Sequence, residues 1–482
     1  MSITRRQFIK RTGVAAAGAL VVPNVWRHPF VRRAFAETIG DRFFISLFLD
    51  GGNDGLNTVV PVSDGSMGTL RTFYEGLRTT GAGGLQLSPT VLNPYSIGND
   101  NNPNLPMATP RTHTPLAVHP GLAGLKTLYD LGKVAVIQGC GYPDYSLSHD
   151  TSRKTWQTAT LAASGPGWVG RYLESAGYTG NDIPALDIDS EIAADFQQGT
   201  TSVIAVDDLE NFIFPYDGDY SDDDAAKRTA FAALYAQAAS SVQAARHSIG
   251  SAGAATLGAT DNYPGLNDLY NNDRPSWVAQ YNTLDRSTGY GLREIAKVIY
   301  GIQNGVSGIN ARHFQLNNGG YDTHSNQGAE TGAHFDLHQE LGNAIELFYN
   351  DIANMAAGLE NKVLIIVWSE FSRRPEQNDS GTDHGSQGPM FVIGGGVNGG
   401  VYGSHPNIDP AVAGDDGNTA YSQDPTNPYR STDIRDVYGT ILKHWLNMGE
   451  PTIFNPMAPV LTLDSGDPNL YWTAHNFDLG FV

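Results

Sequence analysis

The chain has 482 residues, with 30 Lys+Arg against 50 Asp+Glu, a formal charge of −20. Hydrophobic residues make up 40%, enough to bury a sizeable core, which excludes wholesale disorder. The negative field opposes nucleic acid as a general partner, and the single cysteine, Cys140, excludes a disulfide framework and any Cys-rich metal site.

The chain opens with Arg5-Arg6-Gln7-Phe8-Ile9-Lys10, followed by a mildly apolar stretch over 13–23 and by Ala34-Phe35-Ala36. That order reads as a twin-arginine export signal over residues 1–36 with a small-x-small cleavage site. The stretch is too short to span about 30 Å of hydrocarbon. Cleavage after Ala36 would remove seven basic residues and no acids, leaving 23 Lys+Arg against 50 Asp+Glu, a formal −27. The expected location is the periplasm or the outside of the cell, with the twin-arginine translocase as partner during export. No later segment approaches 18 consecutive apolar residues, so no membrane span is expected in the mature chain.

Residues 37–482 read as one domain, with loop-rich insertions near 83–115 and 185–290. Phe43–Leu49 is a continuous apolar run ending at Asp50-Gly51-Gly52-Asn53-Asp54-Gly55, the pattern of a buried strand and its exit loop. His119–Leu131 has helical spacing, and Val134–Ile137 is a second buried strand. A helix is expected from about Thr151 to Thr160, and an Ala-rich one from Asp222 to Ser248. The Gly/Asn/Asp-rich stretch 249–276 reads as loop. Further helices are expected over Leu292–Ile302, Gly332–Leu359 and Thr432–Leu446, and strands at Phe314–Leu316, Lys362–Trp368 and Phe391–Ile393. Continuously apolar strands alternating with helices predict an α/β fold: a mostly parallel central sheet with helices on both faces and a site at the carboxyl ends of the strands.

Three polar clusters follow three of these strands. They are Asp50 with Asp54, Asp322 with His324, and Asp383 with His384. Carboxylates and imidazoles at one sheet edge suit a divalent metal such as Zn²⁺, Mn²⁺, Mg²⁺ or Ca²⁺. His324 stands two residues from Asp322, so in extended chain the two share a side. His334 and His338 lie four apart on the helix that follows, with His338 directed towards the site and His334 towards solvent. Ser148, at the start of the Thr151–Thr160 helix, is either a helix cap or a nucleophile, with Ser146 and Thr58 as the other hydroxyls. Ser148, His149 and Asp150 cannot form a relay among themselves, because neighbouring side chains point apart, and no Gly-x-Ser-x-Gly elbow is present.

These motifs resemble a known family. They run from Leu49-Asp50-Gly51-Gly52-Asn53-Asp54-Gly55 through His119-Pro120-Gly121-Leu122 to Ser148-His149 with Trp156-Gln157-Thr158. Gly167-Trp168-Val169-Gly170-Arg171-Tyr172, Gly320-Tyr321-Asp322-Thr323-His324, Ser369-Glu370-Phe371-Ser372-Arg373, Asp383-His384 and Gly394-Gly395-Gly396 complete the set. The chain is similar, over about residues 40 to 450, to the domain of unknown function 1501 family, exported bacterial proteins related to the alkaline phosphatase/sulfatase superfamily. The resemblance implies an alkaline-phosphatase-like sheet and a metal site made of Asp54 (or Asp50), Asp322 with His324, and Asp383 with His384. It places the nucleophile near Ser148 and makes Arg153 or Arg373 the clamp on an anionic ester group. The implied activity is metal-assisted hydrolysis of phosphate or sulfate esters, small or polymeric. The alternative is a non-catalytic metal- or glycan-binding protein on the same scaffold. The Cys/Ser-x-Pro-x-Arg signature of formylglycine sulfatases is absent.

Overall fold

Continuous apolar runs set the strands. In chain order they are β1 (Phe43–Asp50), β2 (Val59–Pro61), β3 (Ser96–Asn99), β4 (Pro115–Val118), β5 (Val134–Gly141), β6 (Ala185–Ile188) and β7 (Val203–Ala205). They continue with β8 (His313–Gly319), β9 (Val363–Trp368), β10 (Ser372–Gln377), β11 (Thr382–Gly385), β12 (Gly388–Gly394), β13 (Gly400–Tyr402) and β14 (Thr432–Asp433). The helices used below are α1 (Gly55–Thr58), α2 (Ala123–Asp130), α3 (His149–Thr158), α4 (Trp168–Ser175), α5 (Ser221–Ala239) and α6 (Ala244–Asp273). With them stand α7 (Ser287–Gln303), α8 (Ala333–Met355) and α9 (Ile434–Thr440). The structure is a computed structural model and describes residues 41–64, 70–100, 114–178, 183–197, 201, 203–214, 221–284, 287–406, 408, 430–448 and 478–482. The expected export signal, 1–36, lies outside the described residues.

The protein is α/β, with a nine-stranded mixed sheet in the order β13-β5-β12-β9-β1-β8-β6-β7 and β14 added on β5. Only β12 runs against its neighbours, pairing antiparallel with β5 and β9, while the other described pairs of this sheet are parallel. The reversed β12 was not legible as such, because Phe391–Ile393 reads alike in either direction.

Alternation along each strand sorts the core onto two faces. Ile45, Leu47 and Leu49 of β1 join Ile365 and Val367 of β9 in one cluster, packed with Leu122 and Leu125 of the α2 region, Ile295 of α7, and Leu341 and Ile345 of α8. Phe44, Phe48, Leu364, Ile366 and Trp368 face the other way. They pack with Trp156 of α3, Trp168 of α4, and Ile434 and Val437 of α9. Two-sided burial explains why these strands are apolar on both faces rather than at alternate positions; the one polar residue within the run, Ser46, is buried and accepts from Trp368 Nε1 at 2.9 Å.

The helix expected from about Thr151 to Thr160 is present as α3, His149–Thr158, whereas the loop expected at 249–276 is not. That stretch is the body of α6, whose Pro264 sits within the helix. Leu257, Tyr263, Leu266 and Tyr270 are buried, and Tyr263 and Leu266 join the cluster that holds Leu292 and Ile295 of α7. Tertiary packing outweighs the low helix propensity of the Gly and Asn residues there. The helix expected over Asp222–Ser248 breaks between α5 and α6. In the insertion expected at 83–115, β3 joins β2 and β4 in a separate three-stranded sheet, and residues 101–113 lie outside the described part.

Strands β1, β8 and β9 are mutually parallel, with Asp50 opposite Gly319 and Phe48 opposite Trp368. Their carboxyl ends therefore open on one sheet edge. β5 is parallel to β9, because both run against β12, so it ends on the same edge and leads into α3. The reversed β12 begins at that edge, which brings the preceding β10–β11 hairpin there too.

A histidine and carboxylate cluster at the carboxyl edge of the sheet

The exit of β1, Asp50-Gly51-Gly52, lies against the exit of β8. The Tyr321 N–H donates to Asp50 O at 3.1 Å, and a Cβ on Gly51, whose φ is +123°, would collide with the Asp322 backbone nitrogen. Close backbone approach is what the first glycine permits. It sets Asp322 at the edge, 48% exposed, where the Arg373 Nη2 donates to its Oδ1 at 2.6 Å.

Three imidazoles converge on this carboxylate. His324 Nε2 lies 3.1 Å and His384 Nε2 3.2 Å from Asp322 Oδ1, and the two Nε2 atoms are 3.0 Å apart. His149, in the first turn of α3, places its Nε2 3.7 Å from Asp322 Oδ2. The far nitrogen of each ring faces an oxygen: His384 Nδ1 meets Leu147 O at 2.8 Å, His149 Nδ1 meets Glu370 Oε1 at 2.7 Å, and His324 Nδ1 meets Asp383 Oδ1 at 3.4 Å. A carbonyl or carboxylate oxygen only accepts, so Nδ1 of each ring is the donor towards its oxygen, and a ring that is neutral in that tautomer carries its lone pair on Nε2. Asp322 Oδ1 and the Nε2 atoms of His324 and His384 form a triangle with sides of 3.0–3.2 Å. With both rings neutral in that tautomer the facing lone pairs repel unless a positive charge, an Nε2 proton or a cation, lies among them.

Burial alone would raise the Asp322 carboxyl, but the Arg373 guanidinium beside it, with the neighbouring imidazoles of His384 and His324, outweighs burial and holds it below its ordinary value. Burial is also the largest influence on His384 and lowers it, against the opposing pull of Leu147 O and Asp322. Both shifts favour the deprotonated, ligating forms near neutral pH.

The expected residues divide as follows. Asp322, His324 and His384 meet. Asp383 stands behind His324, 57% exposed, rather than in the triangle. Asp50 is half-buried and faces Arg153 Nη1 at 3.5 Å. Single atoms of Asp50, His149 and Glu370 lie within 4.8 Å of one another, as do single atoms of His149, Asp322 and His384.

Asp54 departs from the expectation. It is fully buried, and Arg78 reaches it twice, at 2.8 and 3.0 Å, while Gln327 Nε2 donates to it at 2.6 Å. Its carboxylate also caps α1 through Asn57 N. Its oxygens are thus committed to a buried ion pair. The Arg373 guanidinium donates to Gly51 O, Gly52 O, Tyr321 O, Thr382 O and Asp322, so it braces the exits of β1 and β8 and the start of β11.

Ser148 is exposed at the cap position of α3, yet its side chain makes no capping bond. It lies between Leu147 and His149, both of which touch the cluster. Thr58 is buried and bonded to Asn53, to Asp54 O and to His338 Nε2 at 3.0 Å. His338 therefore serves the scaffold. His334, expected in solvent, is fully buried and meets Asn53 Oδ1 at 3.0 Å. With His119 these rings form a buried group with centroids 4.0–5.2 Å apart.

Sequence reasoning missed His149 and Glu370 as members of the site. The signal for Glu370 was its place two residues beyond β9, at the carboxyl edge where sites gather. For His149 it was the first turn of a helix entered from such an edge.

The fold and the cluster define an α/β protein with a histidine-rich, carboxylate-containing site at the carboxyl edge of its central sheet. The chain belongs to the family described as protein of unknown function (DUF1501), whose model matches residues 41–420. No curated protein matches the chain. Among the described residues no helix is long and apolar enough to cross a membrane.

Proposed function

We propose that this protein is an exported, metal-dependent hydrolase of the alkaline phosphatase/sulfatase type, acting on phosphate or sulfate esters. The observation that carries the reading is the triangle of Asp322 Oδ1, His324 Nε2 and His384 Nε2. Its 3.0–3.2 Å sides are close to the ligand–ligand edge of about 3.3 Å expected for a tetrahedral ion with bonds of about 2.0 Å. Three lone pairs turned inward, each far ring nitrogen held by an oxygen, are the donor set a divalent ion requires. When bound there, the ion supplies Lewis acidity towards an ester oxygen and lowers the pKa of a neighbouring hydroxyl.

The chain's own residues supply the rest. Ser148 presents an uncommitted side chain at the N-terminus of α3, where the helix dipole favours developing negative charge. Arg153, with its side chain 35% exposed, is the cation at the lip, held by Asp50 only at 3.5 Å. It is the better anion clamp now that Arg373 is committed to the loops. Arg373 positions Asp322. Residues 1–36, with Arg5-Arg6 and Ala34-Phe35-Ala36, support export by the twin-arginine translocase to the periplasm or beyond.

The commitment of Arg373 to backbone carbonyls favours a second reading, a metal- or glycan-binding protein that turns nothing over. One experiment separates the two. Metal content is measured on purified protein, and phosphate monoesters, phosphate diesters and sulfate esters are offered to the loaded form. Hydrolysis that disappears in Asp322→Asn and His384→Ala together with the metal is the expected result. Bound metal without turnover leaves the binding reading, and a chain that binds no divalent ion at micromolar concentration removes both.

A further inference from the structure

Two sets of possible ligands share one residue. His149 turns its Nε2 towards Asp322 and its Nδ1 towards Glu370, and one of its ring nitrogens also lies within reach of His384 on the first side and of Asp50 on the second. Either the edge holds two ions on the two sides of this ring, or one side is a ligand set and the other holds the ring in place. The hydrogen bonds of Glu370 decide.

Glu370 is fully buried, directly beyond β9. Its Oε1 accepts the Gly51 N–H at 3.0 Å and faces His149 Nδ1 at 2.7 Å. Its Oε2 accepts the Gly52 N–H at 3.2 Å. The Ser369 hydroxyl lies 3.0 Å from the same oxygen and shares its proton with Leu49 O. A carboxylate offers about four acceptor positions, and here donors surround both oxygens. A cation on that side would have to displace His149 Nδ1–H, and the backbone donors would still point at the carboxylate. The Asp322 side is less filled: among the described residues Arg373 donates to Oδ1, and no backbone N–H points at the Nε2 atoms of His149, His324 and His384.

We infer that the site takes a single divalent ion through three imidazoles, His149, His324 and His384, and one carboxylate, Asp322, and that Glu370 is the positioning residue that turns His149 into the third imidazole. This rests on the metal reading above. A ligand set of three nitrogens and one oxygen suits a borderline ion of the zinc or cobalt class over Mg²⁺ or Ca²⁺, which take oxygen-rich sets. The bond from a carboxylate to the far nitrogen fixes the tautomer and the ring plane, the arrangement common behind metal-bound histidines. Glu370 also ties the Gly51-Gly52 exit of β1 to the exit of β9, so one buried carboxylate sets both the ring and the loop beneath Asp322.

The test is metal titration of the demetallated mature chain with Zn²⁺ and Co²⁺, and separately with Mg²⁺ and Ca²⁺. The expected result is one equivalent of Zn²⁺ or Co²⁺ per chain, bound in preference to the other two ions. Glu370→Gln should keep that stoichiometry, bind about 10–100-fold more weakly, and shift the visible spectrum of the Co²⁺ form. Asp50→Asn should change neither number nor affinity. If Glu370→Gln does not fold, His149→Ala is read instead, with one weaker equivalent expected. Two equivalents in the wild type, one of them lost in Glu370→Gln or Asp50→Asn, would overturn the inference and leave the functional reading standing. So would a His149→Ala chain with unchanged affinity. A wild-type chain that binds none of the four ions overturns both.

Discussion

Replacing Arg78 by Met tests whether Asp54 belongs to the scaffold or to the site. Both side chains are fully buried. The guanidinium reaches the carboxylate twice, at 2.8 and 3.0 Å, and also donates to Arg374 O at 3.0 Å. Methionine matches much of the volume but leaves Asp54 with only Gln327, at 2.6 Å, and Asn57 N, at 3.4 Å. Removing one partner of a buried pair costs about 3–5 kcal/mol, because the remaining charge is both desolvated and uncompensated. Urea unfolding should show that loss as a lower midpoint at unchanged slope. Metal stoichiometry should be unchanged, and the double variant Arg78→Met/Asp54→Asn should recover part of the loss, since no buried charge is then left alone. A loss below about 1 kcal/mol, or an Asp54→Asn chain that keeps its stability and loses its metal, would refute the reasoning and return Asp54 to the ligand set.

Acid should weaken the fold through its buried imidazoles. Burial lowers His119 from 6.5 to about 4, so the folded state resists protonation; its contribution is intact above pH 6.5 and is lost as pH falls towards 4, amounting to about 3 kcal/mol. Unfolding free energy measured from pH 7 to 4 should drop, and His119→Gln should flatten the drop; an unchanged slope in that variant counts against the assignment. Asp187 works in the opposite sense. Burial raises its carboxyl from 3.8 to about 7, so its ionisation penalises the folded state as pH rises through that window, and Asp187→Asn should stabilise the chain at pH 8 but not at pH 3.5. Ser148→Ala should cost less than about 0.5 kcal/mol, because no capping bond is lost, and should abolish ester turnover with the metal retained; full turnover in that variant rejects Ser148 as the nucleophile. Gly51→Ala should shift Asp322, weaken metal binding and cost about 1–3 kcal/mol by melting curve and titration, because its φ of +123° and the nearby Asp322 backbone leave no room for a Cβ. A variant with native affinity and stability would show that the two exit loops are not so closely fitted.

Part of the fold could be read from local pattern alone. Runs such as Phe43–Leu49, interrupted only by the buried Ser46, and Val363–Trp368 carry apolar residues on both faces, and only a strand buried on both faces needs that. Polar residues directly after such runs mark the carboxyl edge, which is how Asp322 and His324 drew attention in the sequence; Asp383-His384 lies further on, beyond the strand that ends at Trp368. The long helix α8 was legible from its spacing of Leu337, Leu341, Ile345 and Ile352.

The rest depends on contacts between residues far apart in the chain. The direction of β12 depends on its partners β5 and β9 and not on its own residues. Helix α6 carries Gly, Asn and a proline and reads locally as loop; burial of Tyr263, Leu266 and Tyr270 makes it a helix. Asp50 and Asp54 look alike in sequence, four residues apart in one glycine-rich turn. Arg78, 24 residues on, takes Asp54 into the scaffold, while Asp50 stays at the edge. Arg373 reads in sequence as a cation near an anion site; the fold surrounds it with the carbonyls of Gly52, Tyr321 and Thr382, from three segments far apart in the chain. His149 and Glu370, 221 residues apart, become a pair only when β5 and β9 run parallel and deliver their exits to the same edge. A single sequence records which donors and acceptors exist; the folded chain decides which of them are already spent.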